Sequence, residues 1–335
     1  MHRPFSALAG AAIALCAAAA GAPSQAQTQT QTRWVMATPY AEANFHTRNV
    51  RAFLADLEQA SQGRLVVQAH HNGSLLPMAQ IKRGVQTGQV QLGEVLLSVF
   101  GNEDPFFEAD SVPFLADTWA GAEALHAATE PFIRARLERQ GLTLLYMVHW
   151  NSQGFYTKAP LTSIEELRGT RFRTFNNLTT RFAELLGAQP VTVQVPDIPQ
   201  AFATNLVGVL FTSAQTGVDA SAWDFARNFL DVGGMRPRNA IFANARALAA
   251  LDPAMRQAVL EAAKRAETRG AAMSRAAENE MLEKLRSHGM AISAAPPAMQ
   301  AQLREIGARQ TQDWLARAGE DGGQMLERYR ALVSR

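Results

Sequence analysis

The chain has 335 residues, a length that suits two domains of ordinary size. Apolar residues make up 47% and charged residues 19%, which excludes a disordered chain and provides for a sizeable core. Lysine and arginine number 32 against 30 acids, a net charge of +2, and no basic run exceeds two residues, so neither nucleic acid nor an anionic membrane surface is expected as a partner.

Residues 1–26 read as a secretory signal: His2 and Arg3 form a short basic start, Phe5 to Gly21 is apolar, and Ser24-Gln25-Ala26 offers a small-x-small cleavage site. The apolar run is short for a membrane span and no charged stop-transfer segment follows it. The mature chain is therefore expected in the periplasm and not inserted in a membrane. The single cysteine, Cys16, falls inside this leader, so the mature chain has neither disulfides nor thiolate chemistry.

Beyond a polar Gln/Thr stretch at Gln27–Gln31, strand-like and helix-like segments alternate. Arg33–Ala37 is a strand, Asn44–Ala60 a helix with an apolar stripe through Phe45, Val50, Phe53 and Leu57, and Arg64–His70 a strand. Pro77–Gln86 is a short helix, Val90–Phe100 a long apolar run, Asp117–Gln140 a helix broken or kinked near Pro131, and Leu142–Trp150 a buried strand. A second series follows: strands at Gly154–Lys158, Thr170–Phe175, Pro190–Val195, Leu206–Ser213 and Asn239–Asn244, helices near Leu178–Leu186 and Asp197–Thr204, and a capping box at Ser163–Glu166. This alternation predicts mostly parallel sheets with helices on both faces.

After Asp252, a good N-cap, and Pro253, a good first helical residue, a stripe of small and apolar residues runs to a stop at Gly289. A helix of that extent is roughly 50 Å long at 1.5 Å per residue, longer than one small lobe. Two readings are open, a strut crossing both lobes or a coiled-coil dimerisation helix. The stripe is rich in alanine and lacks sustained leucine or isoleucine, which favours the strut. Further helices are expected at Pro297–Leu315 and Gln324–Val333.

Enzyme signatures are missing: there is no G-x-S-x-G, H-E-x-x-H, P-loop or G-x-G-x-x-G. His70 and His71 are neighbours on a strand and point to opposite faces, so no metal site is expected there, and no cofactor is implied. What stands out is Leu167–Asn177, LRGTRFRTFNN. Arg171 and Arg173 share one face of a strand and Phe172 takes the other. An arginine offers a planar fork of donors that stays charged and can hold both oxygens of a carboxylate. Asn176, Asn177 and Thr179 could complete an anion site; the alternative is an ordinary pairing with Glu165 or Glu166.

The order and spacing of several short motifs resemble the solute-binding proteins of TRAP (tripartite ATP-independent periplasmic) transporters, of the dicarboxylate-receptor or DctP type. The likeness runs from about Arg33 to Trp314. It rests on Gly63-Arg64-Leu65, Asn72-Gly73-Ser74-Leu75, Ile81 with Val85 and Gly88, Pro113-Phe114-Leu115, Leu167-Arg168-Gly169 through Arg173, and Leu186-Gly187-Ala188-Gln189-Pro190-Val191. The resemblance implies an α/β fold of two lobes that close by hinge bending, with a long helix spanning both. Lobe 1 would be 27–150 plus about 238–270, and lobe 2 would be 151–237 plus about 271–335. It implies capture of a small organic acid and delivery to the membrane subunits of a TRAP permease, by a monomer or dimer without catalysis.

In that family the arginine matching Arg173 pairs with the ligand carboxylate, and ligand-facing positions fall at Thr212 and Ser213. A second family region falls at Trp150–Tyr156, where some relatives carry another arginine and this chain has Gln153; a ligand with one carboxylate is then as consistent as one with two. Val207-Gly208-Val209 also departs from the family's common Val-Asp-Gly. Tyr40, Asn44 and His46 after the first strand, Glu94 and Ser98 at the end of the third, and Trp150, Phe175 and Asn176 complete the candidate walls. The alternatives are a periplasmic ligand sensor feeding a membrane receptor, and a secreted hydrolase or lyase with His46 or Glu94 as base.

Overall fold

The computed structural model describes residues 31–334, so the expected leader and its cleavage site lie outside the described residues. The chain opens with β1 (Thr32–Ala37), α1 (Phe45–Ala60), β2 (Leu65–His70), α2 (Met78–Thr87), β3 (Leu92–Leu96), α3 (Trp119–Arg139) and β4 (Leu142–His149). The chain then forms β5 (Gln153–Thr157), β6 (Arg171–Thr174), α4 (Asn177–Leu185), β7 (Gln189–Thr192), α5 (Ile198–Ala203), β8 (Val209–Ser213), α6 (Ala214–Asp219) and β9 (Asn228–Asp231). It returns through β10 (Arg238–Asn244) and α7 (Ala245–Ala249), and ends with α8 (Pro253–Ser287), β11 (Ala291–Ala294) and α9 (Pro297–Val333).

Two sheets result, ordered β2-β1-β3-β10-β4 and β11-β9-β5-β8-β6-β7. Each is parallel apart from one strand. β10 runs antiparallel to β3 and β4, and β5 runs antiparallel to β8 and β9. These are the two strands entered directly after the chain passes from one sheet to the other. The passages are short, Trp150–Ser152 between β4 and β5 and Val232–Pro237 between β9 and β10. A chain that leaves one sheet and immediately joins the next cannot reverse direction, so the incoming strand opposes its new neighbours.

The apolar run at Val90–Phe100 divides into β3 and a 3₁₀ turn, Leu97–Phe100, which carries Ser98. The expected break at Pro131 does not occur: α3 runs through it, because Leu125 and Ala128 before it and Ile133 and Leu137 after it are all buried on one core. The two tail helices meet within α9 at a kink at Gly319, whose φ of 63° is non-helical and open to glycine. The four-residue strands β9 and β11 were not foreseen; they pair with each other in parallel at a sheet edge.

Asp252 caps α8, its side chain accepting the Met255 N–H at 2.8 Å. The small stripe of this helix is covered by its own chain, as the strut reading requires. Asn49 of α1 donates to Ala266 O at 2.9 Å and Asn151, between the sheets, donates to Ser274 O at 2.7 Å. Glu278, one turn further on, receives Arg236 of the second passage at 2.9 Å.

At Gly270 the packing is closest: a Cβ there would lie 2.5 Å from Val148 Cγ2 and 2.7 Å from Asn49 Nδ2. Helix propensity alone favours alanine over glycine by about 1 kcal/mol, whereas overpacking costs about 1–3 kcal/mol. Gly270→Ala is therefore expected to lower the urea midpoint at unchanged m-value; a raised midpoint would show that the helix does not need this close approach.

Candidate functional site

Alternation along β6 decides where its two large side chains go. Phe172 enters the aromatic core of the second lobe beside Phe155 and Phe211. Arg173 turns the other way, into a pocket with an empty volume of ≈ 400 Å³, open mouth included. Arg171, at the strand's edge, is exposed and bonded to Asn205 O.

The Arg173 side chain is 1% exposed. Its Nε donates to Val193 O at 2.8 Å, and its Cζ lies 4.8 Å from the Phe175 ring centroid. Nη2 is buried without a hydrogen-bond partner, and the guanidinium forms no ion pair among the described residues. Pairing with the neighbouring acids does not occur: Glu166 accepts from Thr162, and Glu165 from Ser163 and Gln302. Burial lowers the Arg173 pKa to about 9, which leaves it charged at neutral pH. A buried cation with an empty donor is a site for an anion.

Of the sequence-predicted residues, Tyr40, Trp150, Gln153, Arg173, Phe175, Thr212 and Ser213 line this pocket together. Met78, Leu96, Val99, Gln194, Val195, Thr216 and Pro237 join them. Gln153 donates to Asn151 O at 3.0 Å and keeps its second N–H and its carbonyl. Ser213 caps α6, accepting from Thr216 N at 3.1 Å.

Asn176 after β6 and Ser98 after β3 are committed to each other. Asn176 caps α4 with its oxygen at 2.8 Å from Thr179 N, and its Nδ2 donates to Ser98 Oγ at 2.8 Å. Asn44, the cap of α1, makes a second such bridge to Asp219 Oδ2 at 2.7 Å. His46 and Glu94 lie behind the Tyr40–Trp150 wall. His46 stacks against the Tyr40 ring at 5.9 Å and lies tilted against Trp150 at 4.4 Å between centroids, and its Nδ1 is 3.8 Å from Glu94 Oε1. Burial pushes the His46 pKa well below its ordinary value, so this is no ion pair at neutral pH.

Asn239 ties that wall together and was not foreseen. It accepts from Trp150 Nε1 at 2.8 Å and Tyr40 OH at 3.0 Å, and donates to Glu94 Oε1 at 2.9 Å. Its signal in the sequence was an amide just ahead of the apolar stretch Ala240–Ala243. Met78, Gln194, Val195 and Pro237 reach the wall from helix starts and connecting segments, where no periodicity marks them.

The family DctP, described as "Bacterial extracellular solute-binding protein, family 7", matches residues 36–317. Among solved structures, DctP7 of Bordetella pertussis, an extracytoplasmic solute receptor binding pyroglutamic acid, is 43% identical, with 89% of this chain and 99% of that one covered at a TM-score of 0.88. DctP6 of the same organism, also a receptor binding pyroglutamic acid, is 38% identical over 90% of this chain and 100% of that one, TM-score 0.88. A TRAP solute-binding protein from a marine metagenome, specific for pyroglutamate and seen with it co-purified, is 34% identical over 90% and 99%, TM-score 0.88. The curated relative YiiZ of Salmonella typhimurium, an uncharacterised protein, is 24% identical over 199 residues; the match covers 55% of this chain and 54% of YiiZ, about half of each.

Burial raises the Glu94 pKa from 4.5 to about 7. Between those values the folded protein keeps a proton that the unfolded chain has released, so this group's contribution to stability falls as pH rises. Glu94→Gln removes it. The stability of Glu94→Gln relative to the parent is expected to increase with pH across that window in denaturation midpoints; a constant difference would mean that Glu94 titrates normally.

Proposed function

Because the chain belongs to the DctP family of bacterial extracellular solute-binding proteins, we propose that it is an extracytoplasmic receptor that closes two lobes on a small organic acid and passes it unchanged to a TRAP-type permease. The family and the similar solved structures are solute-binding receptors and not enzymes. Among the described residues no helix is long and apolar enough to cross a membrane. A secretory leader at 1–26 and release into the periplasm belong to the same proposal.

The observation that carries the reading is the buried guanidinium of Arg173, unpaired by any acid among the described residues and lining the pocket. Its fork takes the ligand carboxylate. Among the described residues Arg173 is the one cation lining the pocket, and Gln153 is neutral, which suits one carboxylate better than two. Tyr40, Leu96, Val99, Trp150 and Phe175 supply apolar wall for a compact body. We take the ligand to be a small monocarboxylate of the pyroglutamate class.

With the lobes as 27–150 plus about 238–270 and 151–237 plus about 271–335, the two short passages are the hinge. The Ser98–Asn176 and Asn44–Asp219 bonds then join opposite lobes and hold the closed form. Thr212 and Ser213 close the pocket from the second lobe.

Hydrogen bonds to a charged group contribute roughly 1.5–3 kcal/mol each, so a bidentate pair with neutral donors and an apolar wall reaches about micromolar affinity, near −8 kcal/mol. In calorimetric titration of the mature protein with pyroglutamate, Arg173→Ala is expected to abolish measurable binding while the protein stays folded, and Arg173→Lys to weaken it, since the charge remains and the fork is lost. Binding to Arg173→Ala as tight as to the parent would overturn the site. In a thermal-shift comparison, pyroglutamate is expected to raise the melting temperature more than succinate does; the reverse order would mean that the pocket takes two carboxylates.

A further inference from the structure

The Asn239 amide has one chemically allowed orientation, and this decides what the wall facing Arg173 can offer a ligand. An indole N–H can only donate, so the atom 2.8 Å from Trp150 Nε1 must be the amide oxygen. The other end then points its NH₂ at Glu94 Oε1, 2.9 Å away, where an acceptor is waiting. The Tyr40 hydroxyl lies 3.0 Å from that same amide oxygen, which has no proton to give. Tyr40 must therefore be the donor, and its single proton is used up against Asn239.

We infer that Tyr40 is a fixed hydrogen-bond acceptor in the pocket and selects acids that carry an N–H or O–H donor in addition to their carboxylate. The inference rests on the reading of Arg173 as the carboxylate anchor. Both protons of the Tyr40–Trp150 wall are turned inward to Asn239, so this wall presents ring faces and the phenol lone pairs but no free donor. Arg173, also lining the pocket, has only donors to give. A ligand that meets both needs an anionic group for Arg173 and a proton for Tyr40. Gln153 cannot make this distinction, because its free N–H and carbonyl serve a donor or an acceptor alike. Burial also holds the phenol's pKa well above its ordinary value, so Tyr40 keeps its proton and goes on donating it to Asn239.

The test is calorimetric titration of the parent and of Tyr40→Phe with pyroglutamate and with its carbocyclic isostere, in which a methylene replaces the ring N–H. The parent is expected to prefer pyroglutamate by about tenfold or more. Tyr40→Phe is expected to lose most of that preference through weaker binding of pyroglutamate alone, and unchanged binding of the isostere shows that the variant's pocket is intact. A preference that survives in Tyr40→Phe, or a parent that binds the two acids equally, overturns the inference and leaves the carboxylate reading standing. If the parent binds neither, the pyroglutamate-class reading fails and the inference with it.

Discussion

A guanidinium sealed from water and given no protein acid is the feature around which the rest is arranged. Removing one partner from a buried ion pair costs about 3–5 kcal/mol, because the remaining charge is left uncompensated. Arg173 carries a cost of this kind within the protein itself. Among the described residues it meets Val193 O and the Phe175 ring, and burial has already drawn its pKa down to about 9. An anion delivered to Nη2 offsets that cost, so this strain in the protein becomes affinity for a ligand.

The architecture explains how such a residue is tolerated and how it is reached. β6 holds Arg173 between β7 and β8, with Phe172 locked in the aromatic core on the opposite face, so the side chain cannot swing out to solvent. The pocket it enters is also lined by Tyr40, Met78, Leu96 and Val99, which come from the stretch of chain around β1–β3. Two short passages and the length of α8 connect the lobes, while a few polar bonds between side chains join their facing surfaces. In the proposed cycle, opening breaks these few buried and half-buried polar bonds and leaves the two cores untouched.

Much of this was legible in the sequence because it is written locally. The strands around Arg173, the cap and length of α8, and the short motifs shared with the DctP family all depend on neighbours within a few residues. Arg173 itself stood out through its alternation with Phe172 and the amides that follow. What was not legible depends on contacts distant in sequence. β9 and β11 are four residues each, too short to show a period, and exist because they pair with each other and β9 pairs with β5. Ser98 and Asn176 looked like wall residues, yet they spend their polar atoms on one another across the gap. Asn239 gains its role only because Tyr40, Glu94 and Trp150, from three other parts of the chain, converge on it.

The measurement that bears most directly on the central claim is a crystal structure of the mature protein grown with pyroglutamate. The expected result is a carboxylate with both oxygens within hydrogen-bonding distance of the Arg173 guanidinium, enclosed between the lobes. A carboxylate bound elsewhere, or Arg173 paired with an acid of the protein in the liganded state, would contradict it.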